Sequence, residues 1–100
     1  MVFITQLIYI IKGQEAVFEQ FEAVAIPAIA KYNGRLLFRV RPADNNFIEH
    51  CIDKPYEIHL AEFASNENFQ NFIREEDRKK FLHLKEQSIK ASVLYKGTKL

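Results

Sequence analysis

Tyr56-Glu57-Ile58-His59-Leu60-Ala61-Glu62-Phe63 alternates side-chain character with period two, the pattern of a strand whose faces meet different surroundings. Its flanks decide the fold. Asp53-Lys54-Pro55 is a turn before it. After it, Ser65 is placed to cap a helix, with Glu67 in the first turn. Phe69, Phe72 and Ile73, then Phe81, Leu82 and Leu84, carry helical spacing from about Asn66 to Ser88. The acidic run Glu75-Glu76-Asp77 ahead of Arg78-Lys79-Lys80 predicts a break there. Upstream, Arg35-Leu36-Leu37-Phe38-Arg39-Val40-Arg41 alternates too and stops at Pro42. Ala43-Asp44-Asn45-Asn46 is turn chemistry, and Phe47 to Ile52 reads as a short extended ribbon.

Further out, Val2 to Ile11 is rich in β-branched and aromatic residues and ends at Lys12-Gly13, predicting a strand. Glu15 to Asn33 is a helix by its stripe of Val17, Phe18, Phe21, Val24, Ala25, Ala28, Ile29 and Tyr32. Pro27 within it removes one backbone hydrogen bond. Asn33-Gly34 ends it, with Gly34 expected in the left-handed conformation. Ile89 to Lys96 alternates and predicts the last strand. The order is βαββαβ. Right-handed crossovers turn that order into an α+β, ferredoxin-like fold, a four-stranded antiparallel sheet with both helices on one face. Residues 1–100 are expected to form one domain, since no linker, repeat or low-complexity tract interrupts them.

A net charge of +1 supplies no long-range field for nucleic acid or an anionic membrane. The apolar start has no basic leader and no small-residue cleavage site, and is too short for a bilayer span. Cys51 is the only cysteine, which excludes an internal disulfide and fits a reducing compartment, so a cytoplasmic location is expected.

Pro27-Ala28-Ile29-Ala30-Lys31-Tyr32-Asn33-Gly34-Arg35 resembles the helix end and turn of a bacterial family of dimeric α/β-barrel domains of uncharacterised function. Ala61-Glu62-Phe63-Ala64-Ser65-Asn66-Glu67 is similar to that family's third strand and its entry into the second helix. The resemblance covers roughly residues 8 to 97 and implies a dimeric α/β barrel related in fold to antibiotic-biosynthesis-type monooxygenases. Where that family carries Ser-Pro-Glu-Tyr, this chain has Arg74-Glu75-Glu76-Asp77-Arg78. The wider superfamily includes cofactor-free monooxygenases and lactone isomerases, so the likeness does not select a reaction.

Alternation sorts the strands into two faces. Ile4, Ile8, Ile10, Leu36, Phe38, Val40, Ile58, Leu60, Ala91 and Val93 are all apolar and are expected beneath the helices. The opposite face then holds Phe3, Thr5, Leu7, Tyr9, Leu37, Arg39, Arg41, Glu57, His59, Ala61, Phe63, Ser92 and Leu94. Its apolar members would leave too large a patch in water, so a second copy is expected to cover it as a homodimer. Thr5, Tyr9, Arg39, His59 and Ser92 would line the space between the two sheets as a small-molecule site, with His59 the candidate catalytic acid/base. The plainer alternative pairs Arg39 with Glu57 across neighbouring strands and needs no ligand.

No metal or other cofactor is implied. Glu49-His50-Cys51-Ile52-Asp53 holds metal-capable groups, but adjacent residues of an extended chain point opposite ways. Cys51 as a nucleophile would need a base from outside its own segment. His83 and the basic cluster Arg74 to Lys85 read as a charge-balanced solvated helix face. Strand three lacks the glycine-aromatic signature with which RNA-recognition motifs stack bases, and glycines at 13, 34 and 97 cannot form a phosphate loop. Three functions stay open at this stage. They are a dimer binding a small apolar, aromatic or anionic molecule, a cofactor-independent monooxygenase- or isomerase-like enzyme using His59, and a non-catalytic interaction dimer.

Overall fold

The computed structural model describes residues 1–76 and 79–98. In chain order the elements are β1 (Val2–Ile10), α1 (Glu15–Lys31), β2 (Gly34–Val40), a 3-10 turn (Asp44–Asn46), β3 (Glu57–Phe63), α2 (Asn66–Glu76), α3 (Lys79–Ser88) and β4 (Ile89–Gly97). The strands form one antiparallel sheet in the order β2-β3-β1-β4, as βαββαβ connectivity requires. The second helical region is described as α2 and α3, and the break expected from its charge pattern falls at residues 77–78, outside the described residues. Between Phe47 and Ile52 no strand forms. Among the described residues, no helix is long and apolar enough to cross a membrane.

The core lies between the helices and one sheet face. Val2 and Ile4 of β1, Ala61 and Phe63 of β3, Ala28 and Ile29 of α1, and Phe69 and Phe72 of α2 pack together. Phe63 is fully buried, with ring centroids 5.4 Å from Phe69 and 5.3 Å from Phe72. A buried phenylalanine contributes about 2–3 kcal/mol, so this trio anchors α2 on the sheet. Ser65 fixes where α2 starts, since its Oγ accepts the Asn68 amide at 3.1 Å. A second cluster of Phe21, Ala25 and Phe81, with Leu84 and Ile89, joins α1 to α3. Helix α1 runs through Pro27, whose ring lies on its exposed side.

Gly34 does not take the expected left-handed conformation. Asn33 does, at φ 56°, and Gly34 opens β2. Its role is spatial, because a Cβ there would lie 2.6 Å from the Phe63 ring and 2.8 Å from Ile29.

The faces differ from the expected ones in three strands. On β3, Glu57, His59, Ala61 and Phe63 are buried against the helices, while Ile58 and Leu60 lie on the open face. On β2, the pairing shifts between Leu36 and Phe38. Leu36 stays on the helix side, but beyond the bulge Arg39 is there too, beside His59, and Phe38 and Val40 are turned outward. On β4, Ser92 and Leu94 stand beside Ile8 and Gln6 on the helix side, and Ala91 and Val93 beside Tyr9 and Leu7 on the open side. Only β1 keeps its expected sides for Phe3, Ile4, Thr5, Leu7, Ile8 and Tyr9. The physical cause is the absence of contrast. Both faces carry large apolar side chains beside the polar ones of a single face, so hydrophobicity is a poor guide to which one the helices cover, and a bulge reverses parity partway along β2.

Candidate functional site

Two polar residues stand where the core pattern calls for apolar ones. Gln6 follows Val2 and Ile4 and precedes Ile8 on the helix side of β1. Glu22 lies between Phe18 and Ala25 on the buried stripe of α1. They meet His59 and Glu57, which are buried on β3 as register partners of Gln6 and Ile8.

Glu57 is the hub, at 1% exposure. Its Oε2 accepts hydrogen bonds from Arg39 Nε at 2.7 Å and His59 Nε2 at 2.5 Å. Its Oε1 accepts from Arg41 Nη2 at 2.7 Å and Arg41 Nε at 3.2 Å. The two guanidiniums reach on to Glu19 of α1, where Oε1 accepts from Arg39 Nη2 at 3.0 Å and Arg41 Nη2 at 2.5 Å. Arg41 also lies over the Tyr56 ring, 4.6 Å from its centroid, and Tyr56 stands edge-on to Phe18. Burial by itself would raise the Glu57 pKa. The bonds from His59, Arg39 and Arg41 outweigh burial and bring it down to about 2. Glu57 is thus a carboxylate at neutral pH, and both arginines are held above their ordinary value chiefly by hydrogen bonding to it.

Because Glu57 only accepts, the bond places a His59 proton on Nε2, so Nδ1 is the nitrogen that carries the lone pair whenever the ring is neutral. No hydrogen bond among the described residues engages Nδ1 or the Gln6 amide. Both residues line a cavity of about 40 Å³ between the sheet and the helices. The rest of its wall is mostly apolar, with Phe21, Ala25 and Ile29 of α1, Phe69, Phe72 and Ile73 of α2, and Ile89 and Leu94 of β4. Glu22 and Lys85 are its charged members.

Glu22, Glu57 and His59 each bring a possible metal-ligating atom within 4.8 Å of the others. The composition suits a divalent ion, but the geometry does not, since both Glu57 oxygens are already taken by two guanidiniums and an imidazole.

Of the five residues expected to line one site, Arg39 and His59 come together, with Arg39 paired to Glu57 as the plainer alternative has it. They lie under the helices rather than on the open face, because β3 and the far half of β2 are turned over. Thr5 is on the open face, where it borders a shallow groove with Phe3, Leu37 and Tyr95. Tyr9 is also on that side, and its hydroxyl donates to the Asp53 carbonyl at 2.7 Å, holding the loop before β3. Ser92 is on the helix side but exposed on edge strand β4. Gln6, Glu19, Glu22 and Lys85 are the members that strand alternation misses. A glutamate on the line Phe18, Glu22, Ala25, Ile29 was the legible signal, because the spacings of four, three and four put it inside the stripe.

No family model matches the chain, and no curated protein does. Solved structures match it along nearly its whole length. A protein of unknown function from Rhodopseudomonas palustris superposes with a TM-score of 0.73 at 12% identity, over 99% of this chain and 82% of that one. A NIPSNAP family protein of unknown function from Agrobacterium tumefaciens gives 0.63 at 14% identity, over 97% and 86%. A DABB family protein with a ferredoxin-like fold from Mesorhizobium loti gives 0.59 at 10% identity, over 99% and 96%. Identities this low carry the fold and nothing finer. The chain therefore has the ferredoxin-like α+β fold of uncharacterised bacterial proteins of the NIPSNAP and DABB kind.

Proposed function

We propose that this chain acts as a homodimer in a reducing compartment such as the cytoplasm, and that each copy binds a small, neutral, largely apolar organic molecule between its sheet and its helices. The observation that carries the ligand's character is the closure of the charge network. Arg39 and Arg41 face Glu57 and Glu19, two guanidiniums against two carboxylates, so the charge of this pair of arginines is already met. What faces a ligand is an imidazole edge and a carboxamide in a mostly apolar chamber whose two charged members, Glu22 and Lys85, are of opposite sign, a setting that favours a carbonyl or phenol on a hydrocarbon body. The anionic ligand that an unpaired Arg39 would have required is not part of this reading.

The chamber at about 40 Å³ holds two or three waters in its closed form. A ring-sized ligand enters by displacing side chains of α2, whose Phe72 and Ile73 sit over it. Dimerisation is supported by the open face. Phe38 at 46%, Val40 at 44% and Val93 at 38% exposure lie there beside Ile58 and Leu60, an apolar sheet surface that a second copy would cover.

The test is an amide-shift titration of the labelled protein with 2-naphthol and, separately, 2-naphthoate. The reading expects 2-naphthol to move the amides of Gln6, Phe21 and His59, and 2-naphthoate to leave them still. Preference for the carboxylate, or shifts confined to Phe3, Leu60 and Tyr95 on the open face, would overturn it.

A further inference from the structure

Gln6 and His59 are register partners on adjacent strands, both lining the apolar chamber. Cross-strand partners hold their Cβ atoms about 5 Å apart, so the two side chains can grip neighbouring atoms of one small molecule. In the neutral ring His59 offers the Nδ1 lone pair, which no described residue engages, and Gln6 offers an amide N–H that no described residue uses. Behind the imidazole, Glu57 is buried and ionised, bonded to the Nε2 proton. A base, a hydrogen-bond donor beside it and a fixed carboxylate behind the base are the parts needed to take a proton from carbon next to a carbonyl.

Resting on the neutral-ligand reading above, we infer that the chamber catalyses proton transfer on an enolisable ketone or related carbonyl compound. His59 Nδ1 removes a proton from the carbon adjacent to the carbonyl. The C–H electron pair becomes the C=C bond of an enolate, and the carbonyl π pair moves to oxygen. Gln6 donates its amide hydrogen to that oxygen. The imidazolium, stabilised by Glu57, returns the proton to the same carbon or to another atom of the enolate. The first return exchanges hydrogen once the imidazolium has traded its proton with solvent water, and the second isomerises the molecule. Neither needs an oxidant, and water is the one other reactant that exchange uses. His59 and Gln6 are the catalytic residues, and Glu57 is a positioning residue that sets the tautomer and stabilises the cation.

The probe is 2-tetralone, which is neutral, apolar and enolisable. Its α-hydrogen signals are followed by proton NMR in deuterium oxide with sub-stoichiometric protein, and binding is read separately from amide shifts. The wild-type protein should speed exchange above an equal concentration of free imidazole. His59→Ala should lose that acceleration, by about 100-fold or more. Gln6→Leu, which keeps the site's volume and carries no fold-bearing bond, should lose at least about 10-fold while binding survives. Binding without accelerated exchange overturns the catalytic inference and leaves the binding reading in place. Exchange that persists in His59→Ala or is unchanged in Gln6→Leu overturns the roles given to them. Absence of both binding and exchange sinks the two readings together.

Discussion

Arg39 and His59 stand opposite each other across β2 and β3, and both donate to the same oxygen of Glu57. A carboxylate that would be costly to bury is thereby held ionised by a guanidinium on one side and an imidazole N–H on the other. The ring's second nitrogen is left for other use.

Acid should unfold the protein through Glu57. Its folded pKa of about 2 lies below the ordinary 4.5, so between those values the unfolded chain binds the proton more readily. The stability from this group is complete above about pH 5 and lost as pH falls toward 2, about 3 kcal/mol in all. Denaturant midpoints measured from pH 6 to pH 2.5 should fall accordingly. In Glu57→Gln that part of the slope should vanish; an unchanged slope would assign the acid sensitivity elsewhere.

Arginine substitutions should separate the network from the surface. Arg39→Met leaves Glu57 buried with one guanidinium fewer and should cost about 3 kcal/mol. Arg35→Met breaks only the exposed pair with Glu62 and should cost under about 1 kcal/mol. Equal losses in urea melts would contradict the central position given to Glu57.

Leu60→Glu and Val93→Glu place a charge on the open sheet face without touching the chamber. Light scattering should give twice the 11.7 kDa chain mass for the wild-type protein and the single-chain mass for either variant. A wild-type monomer would remove the dimer from the proposal.

At the turn into β2, Gly34→Ala should destabilise by about 1–3 kcal/mol, since its Cβ would press on Phe63 and Ile29. Asn33→Gly should change little, because glycine accepts the positive φ at that residue at least as readily. The reverse ranking in thermal melts would restore the left-handed role to Gly34.

Element order was legible because it depends on periods and stops, as at Pro42 and Ser65. The turn at Asn33-Gly34 was legible in place but not in mechanism, since only the fold brings Phe63 against Gly34. Which way β3 faces was not legible. Ile58 and Leu60 outweigh Glu57 and His59 on any hydrophobic scale, yet the polar pair is inside. What reverses the balance is the bulk of Phe63 on the same parity and two arginines arriving from β2. Arginines at positions 39 and 41 reach that side only through the irregularity between Leu36 and Phe38, which nothing in the composition of β2 announces.

That irregularity also bears on how such a chain can evolve. Removing the one codon for Leu37 would close the bulge with Leu36 still opposite Ala61 and Phe38 still opposite Leu60, leaving Phe38 and Val40 outward and Arg39 beside His59. Pairing Leu37 into the ladder with no residue lost would instead turn Phe38 and Val40 inward, strip Glu57 of its cations and load the opposite surface with two positive charges. The strand can therefore shorten by that one residue without moving a charge, and relatives that lack it between Leu36 and Phe38 should keep the same residues around Glu57.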